Sequence, residues 1–145
     1  MITGNCSGGM SDRIIDLIIE LKKKCTLKEE EIRKEFSLAQ AEYRGVVAME
    51  RDEKITCSEF SRRLELSSSR GSRIIEKMIE KKFLNYDSIP GDRRAHLVSL
   101  TGRGHQVKNK IEQKKDECEK SIRDHYTGRQ VDDLKTGLAM LLEAM

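Results

Sequence analysis

The chain has 145 residues, of which 37% are apolar and 37% charged, with no Trp, three Tyr and three Phe. That length holds one domain, or one domain plus an interaction segment, and so lean an apolar complement implies that part of it is buried against another chain. There is no run of about 18 apolar residues to cross a membrane. The opening MITGNCSGGM lacks the basic and apolar stretches of a signal peptide, so a flexible tail and a cytoplasmic location are expected.

The other exclusions concern chemistry. Cys6, Cys25, Cys57 and Cys118 form no C-x-x-C pair, and His96, His105 and His125 have no helical i, i+4 partner. Neither a metal site nor a cofactor is expected, and free thiols are the default in a reducing compartment. No nucleophile elbow, phosphate loop, dinucleotide fingerprint or H-E-x-x-H occurs, so no enzyme is expected.

In chain order, Ile14, Ile18, Leu21 and Cys25 recur at helical spacing and predict an amphipathic helix from about Ser11 or Asp12. T-L-K-E at 26–29 either caps a second helix or lies within one helix reaching Phe36. S-L-A-Q at 37–40 reads as a capping box before Tyr43, Val46, Val47 and Met49. T-C-S-E at 56–59 caps a short helix with Phe60 and Leu64 inside. Ser67 is the expected N-cap of a helix to about Lys81, with Ile74, Ile75, Met78 and Ile79 on its apolar side.

The period then changes. F-L-N-Y-D-S and A-H-L-V-S-L predict two short strands joined by I-P-G-D-R-R, in which proline presets φ and glycine accepts positive φ. Thr101 starts a long polar helix with a thin seam of Val107, Ile111, Cys118 and Ile122. T-G-R-Q at 127–130 caps a last helix carrying Val131, Leu134, Leu138, Leu141, Leu142 and Met145. The outer seams are too sparse for a core of their own and suit association across a two-fold axis. Ile14, Ile18 and Leu21 with Val131, Leu134, Leu138 and Leu142 are the expected dimerisation residues.

Two helices and a tight turn followed by a two-stranded wing describe a winged helix-turn-helix. The formal net charge is +3, but residues 62–103 hold ten Lys/Arg against five acids, which marks a polyanion-binding centre. The second helix of such a pair enters the DNA major groove by its N-terminal end. Here that end reads S-S-S-R-G-S-R, residues 67–73, and Arg70, Arg73 and Lys77 project from one face. Gly71 serves either close approach to DNA or room for Phe60 or Leu64. Arg93 and Arg94 at the hairpin tip are placed for the minor groove, with Asp92 holding an arginine by a charge-assisted hydrogen bond.

The run from Ile55 to Gly104, above all D-R-R-A-H-L-V-S-L-T-G-R-G, resembles the DNA-binding core of MarR-type bacterial transcription regulators. F-S-L-A-Q-A-E-Y-R-G-V-V-A-M at 36–49 resembles the helix that precedes that core. The resemblance implies a mostly α fold with a small β-hairpin wing, and a homodimer held by its N- and C-terminal helices. It also implies binding to a pseudo-palindromic operator in double-stranded DNA, usually as a repressor. By position, the recognition contacts fall on Ser68, Ser69, Arg70, Ser72, Arg73 and Lys77, and the wing pair on Asp92 and Arg94. Lys82 stands where the family usually has a glycine, and Tyr86 where a basic wing residue is common.

The implied organisation is a tail at 1–10, a helical dimerisation segment at 11–36, a DNA-binding lobe at 37–100 and a second dimerisation segment at 101–145. Within the lobe the recognition helix spans about 67–82 and the wing about 84–100. The signal is open: a small-molecule effector of unknown identity, or a thiol. Cys25 follows three lysines and Cys57 opens a helix, both of which favour thiolate, while Cys25 and Cys118 also continue apolar seams. The alternative class is a winged helix that binds protein and not DNA.

Overall fold

The computed structural model describes residues 12–145, so the expected tail and Cys6 lie outside the described residues. The order is α1 (Ile14–Phe36), α2 (Gln40–Ala48), β1 (Ile55–Thr56), α3 (Cys57–Arg63), α4 (Ser68–Glu80), β2 (Leu84–Ile89), β3 (Asp92–Leu100), α5 (Gly102–His125) and α6 (Gly128–Ala144). The fold is mostly α with a small antiparallel sheet, as the sequence predicts. The chain forms two compact units, one ending at Gln40 and one spanning Ala41–Met145.

In the first unit, α1 is a single helix. Thr26 caps nothing; its hydroxyl donates back to the Lys22 carbonyl one turn earlier, at 2.9 Å. Ser37 does not begin the next helix. It takes a left-handed conformation (φ 56°), and the Leu38 N–H reaches the Arg33 carbonyl at 2.8 Å. That is a Schellman closure of α1, so the S-L-A-Q pattern ends one helix and α2 starts only at Gln40.

The second unit is built around α2, α3, α4 and the sheet. Its core includes Val46, Met49, Phe60, Leu64, Ile75, Met78, Phe83, Leu84, Val98, Leu100, Val107 and Ile111. Each large side chain buried there contributes roughly 1.5–3 kcal/mol. Thr56 caps α3 by accepting from the Glu59 N–H, Ser67 caps α4 by accepting from Arg70, and Thr127 with Gln130 completes a full capping box on α6. The strand order is β1-β3-β2. β1 is two residues long, pairs Ile55 with Val98, and is too short to show in the sequence pattern.

Gly71 serves neither expected purpose. A Cβ on it would stand 2.8 Å from the Cβ of Ser61 and collide with that residue's hydroxyl, so α3 and α4 meet through glycine against serine. Lys82 occupies the left-handed position after α4 (φ 65°) that a glycine would take without strain. The cap still closes, with Phe83 N–H on the Met78 carbonyl at 2.8 Å.

Gly71→Ala should therefore destabilise the fold by about 1–3 kcal/mol or more through overpacking. Lys82→Gly should stabilise it by about 1 kcal/mol through relieved backbone strain. Thermal unfolding of both variants checks the pair, and a neutral Gly71→Ala would contradict the glycine–serine contact.

Candidate nucleic-acid interface

Helix α4 divides cleanly. Gly71, Ile75 and Met78 are buried, Ile74 and Ile79 are half-buried, and Ser68, Ser69, Arg70, Ser72, Arg73, Glu76 and Lys77 are exposed. All six expected recognition residues are thus exposed, although Ser68, in the first turn, falls in line with the buried Gly71 and Ile75. At 100° per residue, Arg73 sits near the middle of the outer side, with Arg70 and Lys77 along one edge and Ser69, Ser72 and Glu76 along the other.

The cations there are available. Nearby, Arg62 is held by Glu59 (2.6 Å), Arg63 by Glu53, Lys54 by Asp87 (3.8 Å) and Lys81 by Glu42 (2.7 Å). Among the described residues, the side chains of Arg70, Arg73, Lys77, Arg93 and Arg94 make no ion pair and no hydrogen bond. Unpaired like charges crowded on one lobe cost folding energy, and an approaching polyanion relieves that cost.

The wing differs from the expected six-residue loop. Its turn is only Pro90–Gly91, with Gly91 at φ 86°, the value that the third position of a type II turn requires. Ile89 pairs with Asp92 and Ser88 with His96, so one step on β2 faces four on β3. Arg93, Arg94 and Ala95 therefore form a bulge, which turns side chains out of the ladder. Asp92 Oδ1 accepts from the main-chain N–H of Arg94 at 3.0 Å, so it holds that arginine's backbone and leaves the guanidinium unengaged.

Tyr86, at the place of a basic wing residue, stacks on His96 with ring centroids 4.4 Å apart. His96 is half-buried, and its Nδ1 is buried without a hydrogen-bond partner among the described residues. Burial, then Cys57 and Glu76, push the Tyr86 hydroxyl above its ordinary pKa. Helix α4 packs directly against strand β2, so its outer side and the base of the wing lie side by side.

Several supports were not foreseen. The Glu42 carboxylate is buried and pairs with Lys81 at the end of α4. Its spacing with Val46 and Met49 put it on the apolar stripe, a signal that sequence reading passed over. Arg103 donates to the Lys81 carbonyl at 3.2 Å while its guanidinium covers the Phe83 ring. Lys108, nearly buried in α5, donates to the Val47 carbonyl at 3.0 Å and so caps the C-terminal end of α2. His105 reaches the carbonyls of Thr101 and Arg51.

The thiols diverge from their expected settings. Cys25 is exposed and not buried in a seam, and Cys118 is half-buried. Burial pushes the Cys57 thiol above its ordinary pKa, outweighing a hydrogen bond from its own main chain, and its Sγ lies 3.9 Å from the His96 carbonyl. Among the described residues no group of three or more His, Cys, Asp or Glu could hold a metal ion, and no helix is long and apolar enough to cross a membrane. Of the expected dimerisation residues, Ile14 (62% exposed), Leu21, Leu134, Leu138 and Leu142 (80% exposed) are open, Ile18 is half-buried and Val131 is buried.

With each thiol left as the sole cysteine, Cys25 should react with a disulfide reagent at pH 8 and Cys57 should lag several-fold. The lag should close only as pH rises past the ordinary thiol range, because burial disfavours the Cys57 thiolate. Faster reaction at Cys57 would contradict the burial.

Comparison with known proteins agrees with this geometry. Residues 45–104 match the family described as winged helix DNA-binding domain. No curated protein matches the chain by sequence. Among solved structures, a point mutant of S. aureus MepR superposes with a TM-score of 0.75 at 14% identity, over 91% of this chain and 98% of that one. A MarR transcriptional regulator from Methanosarcina mazei Go1 gives 0.67 at 17% identity, over 90% and 94%. The S. aureus MepR–DNA complex gives 0.65 at 15% identity, over 88% and 97%. Residues 45–104 are thus a winged helix domain, and the chain that carries them has the fold of the MarR-type regulators.

Proposed function

We propose that this chain is a MarR-like, sequence-specific DNA-binding transcription regulator that acts as a homodimer on a pseudo-palindromic operator, as a repressor released by a signal. The observation that carries the reading is the set of unpaired cations on the outer side of α4 and in the wing bulge. The solved MepR–DNA complex, which shares the fold, supports it.

On this reading Ser68, Ser69, Arg70, Ser72, Arg73 and Lys77 meet the major groove, short hydroxyls gripping phosphate and arginines pairing with guanine. Arg93 and Arg94 reach the flanking minor groove, with Asp92 setting the backbone of Arg94. The lobe at 37–100 does the reading. The segments 11–36 and 101–145 join two copies through the apolar residues that a single chain leaves exposed on α1 and α6. Two recognition helices then fall in successive major grooves, about 34–36 Å apart. A small-molecule effector that prefers one spacing of the lobes releases the operator.

The double variant Arg70→Ala/Arg94→Ala should lose at least about tenfold in affinity for DNA from upstream of its own gene, with its circular dichroism unchanged. Unaltered gel-shift affinity would refute the assigned interface. Removal of residues 128–145 should abolish the dimer in sedimentation, whereas a dimer that survives the deletion would contradict the role given to α6. A wild type that binds no genomic fragment would favour a winged helix that docks on protein.

A further inference from the structure

Glu76 is the one acid within the exposed stripe between Ser69 and Lys77 on α4. It lies one turn beyond Ser72 and Arg73 on the same outer side. Among the described residues its side chain makes no ion pair or hydrogen bond, although Arg73 stands three residues before it and Lys77 beside it. Such a residue has a cost if the surface only grips phosphate, because a carboxylate repels the backbone of the duplex.

Its chemistry narrows what it can meet. A carboxylate is an acceptor only, and phosphate oxygens and the edges of guanine and thymine in the major groove offer it acceptors. The donors there are the exocyclic amino groups of cytosine and adenine. On the outer side of the adenine amino group lies the N7 acceptor, which repels the second carboxylate oxygen; on the outer side of the cytosine amino group lies a C–H. We propose that Glu76 is a base-reading residue that accepts a hydrogen bond from the N4 amino group of a cytosine in each half-site, an assignment that rests on the DNA-binding reading above. The neighbouring cations grip the backbone and Glu76 selects, since its repulsion by phosphate is offset only where that cytosine is present.

The test is selection of bound sequences from a randomised duplex library by the full chain, with Glu76→Ala, Glu76→Gln and Glu80→Ala in parallel. Glu80 is an exposed acid one turn further along α4, so its removal controls for charge alone. Wild type should prefer cytosine at one position of each half-site by roughly tenfold. Glu76→Ala should lose that preference and bind duplexes that lack the cytosine more tightly than wild type does. Glu76→Gln should move the preference to adenine, whose donor and acceptor suit an amide. Glu80→Ala should keep the wild-type motif. A motif unchanged by both Glu76 variants overturns this assignment and leaves the DNA-binding reading standing. A wild type that retains no duplex from the library overturns both.

Discussion

The backbone between Lys81 and Phe83 must turn the chain from the recognition helix into the first wing strand without a glycine, and both reading elements depend on how that turn is held. Lys82 adopts a left-handed conformation at a cost of roughly 1 kcal/mol or more. The surroundings over-determine it. Thr101 donates its hydroxyl to the Lys82 carbonyl at 2.6 Å and its N–H to Phe83, and Arg103 donates to Lys81. A side chain on Gly104 would stand 2.5 Å from the Phe83 carbonyl, so the T-G-R-G run is shaped to close on this joint. On the other side the buried Glu42 carboxylate fixes Lys81. A buried charge left without its partner is costly, which ties α2 to the end of α4.

This bracing lets a lobe with so small a sheet hold in place the two separate elements proposed to meet one duplex. Helix α4 is anchored by its apolar edge and its C-terminal joint, and among the described residues the cationic side chains on its outer face make no internal ion pair or hydrogen bond. The wing works in the opposite way. Its base is anchored by pairing with β1 and by the Tyr86–His96 stack, and its tip departs from regular pairing so that Arg93 and Arg94 leave the ladder. Rigidity near the joint and open valences further out are what an electrostatic reader of a charged polymer requires.

Much of this was legible in the sequence because it is local. Caps at Thr56, Ser67, Thr101 and Thr127, the apolar stripe of α4 and the proline–glycine turn each announce themselves within a few residues. The exposure of Arg70, Arg73 and Lys77 was legible for the same reason, since helical spacing decides which side they take, whereas Ser68, Ser69 and Ser72 came from the family resemblance. What escaped depends on contacts distant in sequence. Gly71 meets Ser61 on another helix, Glu42 meets Lys81 thirty-nine residues later, and Lys108 reaches Val47 across sixty-one. Ser37 misled because its capping pattern suits the start of a helix, whereas α1 needed a residue to end on in the left-handed region. Cys57 shows the same limit: its helix position was visible, its burial was not.

The terminal helices carry the remaining demand. Apolar side chains open to water along α1 and α6 are more than a lone chain gains by keeping, and a second copy is the partner proposed to cover them. The claim at the centre, that the lobe engages DNA through unpaired cations, is tested most directly by salt. Equilibrium affinity for duplex DNA from upstream of its own gene, measured by anisotropy across a range of salt concentrations, should fall steeply and log-linearly as counterions are released. Affinity that stays flat with salt, or no binding at low salt, would contradict it.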